Sequence, residues 1–141
     1  MHKTKLLHPE ILGVLGQAGH GSAVLVADGN YPFSTGSPVM AEKVFLNLMP
    51  GMVKVTDVLE ALVAAIPIEA AAVMVPDDGA EQPIFAEFRR ILPKDVELTK
   101  LGRFPFYSEA RSTNTALVIA TGEQRVYANL LLTIGVVPPA A

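Results

Sequence analysis

The sequence predicts a three-layer α/β/α fold in one domain spanning residues 1–141, built on a mostly parallel central sheet. Three observations lead there. Several apolar runs are continuous rather than alternating, as strands buried on both faces require, most plainly Ala23–Ala27 and Thr115–Ala120. Segments of helical periodicity separate these runs, starting at Pro9, near Val55 and at Pro83. The length of 141 residues is that of one ordinary domain, and no repeat, low-complexity stretch or linker divides it.

Composition narrows the function classes. Hydrophobic residues make up 50% of the chain and charged ones 18%, yet no apolar run approaches the roughly 20 residues that span a bilayer. No membrane association is expected, and the surplus apolar surface points to contacts between subunits. A net charge of −3 with only 11 scattered Lys and Arg argues against nucleic acid as a partner. With no cysteine there is no disulfide framework and no thiolate metal site or nucleophile. Basic Met1–Lys5 is followed by Leu6-Leu7-His8-Pro9, too short an apolar stretch for a signal peptide, so a cytoplasmic location is expected.

Taken in order, Pro9 and Glu10 suit the first turn of a helix whose apolar positions Ile11, Leu12, Val14, Leu15 and Ala18 recur until Gly19 stops it. Ala23–Ala27 reads as a buried strand, and Asp28-Gly29-Asn30 turns into a polar loop through Pro38. Val44–Leu48 is the next strand candidate. Thr56 is a candidate cap for a helix with Val55, Val58, Leu59, Leu62 and Val63 on one face, ended by Pro67. Ala70–Val75 is a third apolar run. Pro83 opens a helix whose buried side carries Ile84, Phe85, Phe88, Ile91 and Leu92, with Arg89 and Arg90 turned to water. Val96–Leu101 is a strand candidate, a short helix reaches Arg111, and Thr115–Ala120 is again buried. Val126–Leu132 and Ile134–Val137 complete the set as the most hydrophobic strands.

In such sheets ligands gather outside the carboxyl ends of the strands, where Asp28 and Arg103 are expected. Gly19-x-Gly21 follows a helix and precedes a strand, the reverse of a dinucleotide fingerprint, so no nucleotide cofactor is expected. There is no P-loop and no Gly-x-Ser-x-Gly elbow, and His2, His8 and His20 lack metal-ligand spacing, so no metal site is expected. His20 lies between two glycines that allow close approach of a ligand, although a helix end can also satisfy a structural histidine. Asp28 reads either as an Asx-turn residue or as a ligand contact. Tyr127 and Asn129 alternate along the expected last strand and would share one face.

Pro9-Glu10-x-Leu12 with Gly19-His20-Gly21, Ala27-Asp28-Gly29-Asn30-Tyr31-Pro32, Arg103-Phe104-x-Phe106-Tyr107 with Ala110-Arg111, and Thr121-Gly122-Glu123 with Tyr127-Ala128-Asn129 and Gly135-Val136 together resemble the family of D-ribose pyranase and L-fucose mutarotase. The resemblance covers nearly the whole chain in motif order. It implies an isomerase that interconverts anomers or ring forms of a monosaccharide without a cofactor, in subunits that assemble into homo-oligomeric rings, often decamers. By position, His20 resembles the family's general acid, and Asp28, Arg103, Tyr127, Ala128 and Asn129 its substrate contacts. Arg103 before Phe-x-Phe-Tyr is similar to the fucose branch, while Asn47–Pro50 is at least as similar to the ribose branch. A D-ribose pyranase, or a non-catalytic sugar-binding or transport-associated protein, are the alternative readings.

Opening a hemiacetal needs one proton donor and one acceptor, and an imidazole can be either at neutral pH. Asp28, Arg103 and Asn129 can anchor hydroxyls, with Asn129 donating and accepting at once, and Tyr127 can bind or relay a proton. If Ala23–Ala27 is extended it spans roughly 17 Å, which separates His20 from Asp28. A pocket shared between subunits, with His20 and Asp28 from different copies, is the expected solution.

Overall fold

The computed structural model describes residues 1–140. The elements follow as α1 (Pro9–Gln17), β1 (Ala23–Ala27), β2 (Glu42–Phe45), α2 (Val55–Val63), β3 (Ile68–Met74), α3 (Pro83–Ile91), β4 (Leu98–Leu101), α4 (Arg103–Ala110), β5 (Thr115–Ala120) and β6 (Leu130–Ile134). All six strands join one sheet in the order β2-β5-β1-β6-β3-β4. β1 and β2 flank β5 in parallel, β3 and β4 are parallel, and β6 runs antiparallel between β1 and β3. The sheet is mostly parallel, as expected, with one reversed strand at its centre. A continuous apolar run reports burial on both faces, not direction, which is why β6 reads like its parallel neighbours.

The two faces are covered unequally. Ile11 of α1, Leu59 and Leu62 of α2, and Phe85 and Phe88 of α3 pack with Val24, Val26, Leu117, Ile119, Leu130 and Leu132. On the opposite face, Phe106 and Ala110 of α4, with Tyr31 from the long loop, pack with Ala23, Leu25, Ala27, Val118 and Leu131. The alternation along β1, with all five residues buried, shows why no polar residue fits there. Among the described residues, no helix is long and apolar enough to cross a membrane.

Most differences from the sequence reading lie at element ends, and two bear on the site. The chain from Val126 to Val137 holds one strand, Leu130–Ile134, not two. Thr133 pairs with Ala23 and Ala70 and does not interrupt it. Tyr127 lies outside the strand with a left-handed φ of 57°, so strand alternation does not place it beside Asn129. Second, α2 starts at Val55, not after a Thr56 cap. The Glu123 carboxylate, 68 positions away, accepts the Val55 N–H at 3.2 Å, and Asp57 accepts the Lys54 N–H at 3.2 Å. A tertiary acid at the positive helix end replaces the local hydroxyl. The shifts of β2, β3 and β4 from Val44–Leu48, Ala70–Val75 and Val96–Leu101 leave the topology unchanged.

Two glycines separate packing from propensity. A Cβ on Gly122 would fall 2.2 Å from the Met52 carbonyl oxygen and 2.3 Å from that of Met49, whereas one on Gly13 in α1 would meet nothing within 4 Å. Gly122→Ala is expected to destabilise the fold by about 1–3 kcal/mol. Gly13→Ala is expected to stabilise it by about 0.5–1 kcal/mol. Parallel urea unfolding of the two variants checks the opposite signs, and shifts of the same sign would contradict this packing.

Candidate functional site

Because β6 is antiparallel to β1, the start of β6 lies beside the end of β1, and their polar flanking residues meet. The Asp28 N–H donates to Asn129 Oδ1 at 2.8 Å. Asp28 Oδ1 accepts the Asn30 N–H at 3.0 Å, and its Oδ2 accepts the Ala128 N–H at 3.3 Å. Asp28 is therefore both an Asx-turn residue and part of a pocket. Ala128 contributes through its backbone, its side chain being buried. Asn129 has its oxygen directed to Asp28, so its amide is oriented and offers chiefly its two N–H donors to a ligand, not donor and acceptor equally.

These groups line a cavity of about 210 Å³ with Asn30, Tyr31, Met74, Tyr107 and Tyr127. Tyr127 also lines a neighbouring cavity of about 440 Å³ with Arg103, Asp77 and Asp78, so the two cavities adjoin at this side chain. The structure thus brings Asp28, Arg103, Tyr127, Ala128 and Asn129 to one end of the sheet. Arg103 opens α4, and its guanidinium lies 5.5 Å from the Phe104 ring and 5.6 Å from that of Tyr107. Arg111 covers Tyr107 at 5.3 Å and donates from Nε to the Thr35 carbonyl. Cation–π contact holds this wall of the cleft without an acid. A further cavity of about 420 Å³ across the Asp28 turn, lined by Asn47, Met49 and Gln124, holds none of the expected site residues.

Electrostatics distinguish the site's acids. Burial pushes the Asp28 carboxyl above its usual value, against the backbone N–H bonds from Asn30, Ala128 and Tyr31, and nearby Glu123 adds to the rise. Glu123 is also buried, which acts to raise it, but the Arg125 guanidinium and the N–H groups of Arg125 and Val55 outweigh burial and hold it low. Burial likewise raises the Tyr31 hydroxyl, which donates to the Gly36 carbonyl at 2.7 Å. Burial shifts the proton affinity of one carboxyl upward, and Arg125 shifts that of its neighbour downward.

His20 is not in this cleft. It lies before β1, at the opposite end of the sheet, and its Nε2 pairs with Glu69 Oε2 at 2.9 Å near the start of β3. Set 2.9 Å from this carboxyl oxygen, Nε2 is the ring nitrogen placed to donate, and Nδ1 faces away from that partner. Gly21, at φ 87°, donates its N–H to the Ile134 carbonyl at 2.9 Å, which fixes the loop to the far end of β6. The five residues of β1 stand between His20 and Asp28 and span roughly 17 Å. The separation read from the sequence holds within one chain.

The sequence reading missed Glu69, Tyr31, Tyr107 and the Glu123–Arg125 pair. Tyr107 had a signal, since Arg103, Tyr107 and Arg111 recur every four residues and so share a helix face. Glu69 had none, because its partner is 49 positions away.

A family model described as the RbsD / FucU transport protein family matches residues 1–137. The chain is 34% identical to the fucose mutarotase of Danio rerio, over 95% of this chain and 92% of that protein. It is 28% identical to a D-ribose pyranase of Clostridium perfringens, over 97% and 99% of the two chains. Among solved structures, FucU from Bifidobacterium longum superposes with a TM-score of 0.78 at 32% identity, covering 93% of this chain and 95% of the other. A Streptococcus pneumoniae fucose mutarotase solved in complex with L-fucose shares the fold with a TM-score of 0.82 at 23% identity, covering 98% and 100%.

The raised carboxyl of Asp28 has a consequence for stability. The folded state holds this proton more tightly than the unfolded chain, so ionisation of Asp28 opposes folding. The penalty is absent well below the ordinary value of 3.8, grows as pH rises past it, and levels off above the folded value. The stability of Asp28→Asn minus that of the native chain is therefore expected to climb from about pH 4 and then plateau. Urea unfolding between acid and neutral pH reads this difference. A flat or falling difference would contradict burial as the dominant cause.

Proposed function

As the chain belongs to the RbsD / FucU family, we propose that it is a cofactor-independent monosaccharide mutarotase. In this reading it is an isomerase acting on L-fucose or a related reducing sugar in the cytoplasm. The observation that carries the reading is the cleft beside the Asp28–Asn129 hydrogen bond, where an oriented carboxamide, a buried carboxyl, a tyrosine and an arginine converge on a space of monosaccharide scale. The 34% identity to a fucose mutarotase favours the fucose type.

The chemistry follows from which hydrogen-bond positions remain open. Asp28 Oδ1 and Oδ2 accept the Asn30 and Ala128 N–H groups and, with the Tyr31 N–H also turned toward the carboxyl, retain acceptor capacity for a sugar hydroxyl. Asn129 Nδ2 and the Arg103 guanidinium donate to sugar oxygens, and Tyr127 can do either. For ring opening, a proton is delivered to the ring oxygen, the C1 hydroxyl loses one, and the C1–O5 bond breaks to give the open-chain aldehyde. Rotation about C1–C2 and closure on the other carbonyl face give the second anomer, with no net change in atoms or charge. His20 is the general acid in this reading, as an imidazolium that gives up its Nδ1 proton while Glu69 accepts the Nε2–H. Positioned proton transfer of this kind contributes about 10² to 10⁴ in rate.

Since His20 and Asp28 stand at opposite ends of β1, His20 reaches the cleft from a second copy of the chain. Exposed Phe45, Leu48, Met49 and Met52, at 60%, 73%, 53% and 48% of full exposure, are apolar surface of the kind that homo-oligomers bury. A ring, often a decamer in the resemblance that first suggested it, accommodates such a shared site. The 28% identity to a D-ribose pyranase keeps pyranose–furanose exchange of ribose as the second reading.

Saturation-transfer NMR on both sugars decides between them: faster anomer exchange of L-fucose is expected, and acceleration of ribose ring exchange alone would favour the second reading. His20→Ala is expected to slow exchange by about 10² to 10⁴. Mixed oligomers of inactive His20→Ala and inactive Asp28→Ala chains should recover part of the activity, because some pockets then receive both native groups. No recovery in verified mixed oligomers would contradict the shared pocket.

A further inference from the structure

We propose that Glu123 is a positioning residue for the sugar pocket, clamping the Asp28 turn through its backbone and the Tyr127–Asn129 segment through Arg125. This rests on the mutarotase reading for its sugar. Glu123 is 3% exposed and does not line the 210 Å³ cavity. A buried carboxylate is tolerated only when its oxygens are satisfied, and here four N–H groups do so. Oε1 accepts from the Arg125 backbone N–H at 3.1 Å and from Arg125 Nε at 2.9 Å. Oε2 accepts from Arg125 Nη2 at 2.9 Å and from the Val55 N–H at 3.2 Å. The remaining arm of Arg125, Nη1, donates to Glu87 Oε1 on α3 at 2.9 Å.

The backbone of the same residue reaches both neighbours of Asp28. The Glu123 carbonyl accepts the Gly29 N–H at 2.8 Å, and a Cβ on Gly29 would come within 3.0 Å of that oxygen. The Glu123 N–H donates to Thr121 Oγ1 at 3.2 Å, and that hydroxyl donates to the Ala27 carbonyl at 2.7 Å. Two residues beyond Arg125 the chain enters the left-handed conformation of Tyr127, which the following Ala128 N–H bond to Asp28 then locks. A left-handed non-glycine residue persists only where its surroundings over-determine it. The fork between Glu123 and Arg125 lies two residues before this turn and ties the chain entering it to the start of α2 through Val55 and to the middle of α3 through Glu87 rather than to the sugar.

Such a residue acts on sugar anchoring and not on the proton transfer of His20, which comes from another copy. Glu123→Gln keeps the size but places an amide against Arg125. Its KM for the sugar is expected to rise about fivefold, the worth of one ordinary hydrogen bond, with kcat within about twofold. Arg125→Lys, which keeps the charge and loses the fork, is expected to raise KM in the same direction by a smaller factor. The backbone amide resonances of Gly29 and Ala128 should shift in both variants without any sugar present, which tests the clamp even if the native chain turned over neither sugar. Unshifted amides, or a fall in kcat at unchanged KM, would overturn the proposal. Should Glu123→Gln not fold, the same two readouts on Arg125→Lys decide it.

Discussion

The length and burial of β1 constrain everything else in this molecule. Five residues, all buried, form a rigid extended segment with parallel β5 on one side and antiparallel β6 on the other. No side chain within it can be polar, so chemistry is confined to its two ends. One end carries the His20–Glu69 pair and the other the Asp28–Asn129 corner. An extended backbone does not shorten, and a sugar is far smaller than the gap. In the proposed function, two half-sites per chain completed by a second copy satisfy both conditions and give the exposed apolar residues near β2 a role.

The reversed strand makes the sugar end possible. In an all-parallel sheet the end of β1 would face other strand ends, each followed by its own loop. With β6 reversed, the segment entering it runs directly against the turn leaving β1, so Asp28 exchanges two hydrogen bonds with it, one with Asn129 and one with Ala128. Asp28 is thereby both a turn residue and part of a cavity wall, and burial raises its proton affinity. Behind this corner, Glu123 answers its own burial with Arg125 and remains an anion. The paired acids divide the work between holding the frame and meeting the ligand.

What the sequence made legible follows the same physics. β1 and β5 were readable to the residue because burial on both faces leaves an uninterrupted apolar run between turn signals. The direction of β6 was not, since no local feature encodes it. Asp28 and Arg103 stood out as polar residues at strand ends, and Asn129 as a polar residue in an apolar run; the structure brings all three to one end of the sheet. Tyr127 was found for the wrong local reason: it reaches the cleft through a left-handed turn, not through strand alternation. Glu69 and the start of α2 depend on partners 49 and 68 positions away, which no periodicity records.

The composite pocket can be tested by a single chemical measurement, because the chain contains no cysteine to interfere. Copies carrying His20→Cys are mixed with copies carrying Asn30→Cys and treated with a thiol crosslinker shorter than the roughly 17 Å of β1. A covalent product joining one copy of each kind is expected. The absence of that product from verified mixed oligomers, while a separate His20→Cys/Asn30→Cys double variant is crosslinked within single chains, would contradict a pocket built from two copies.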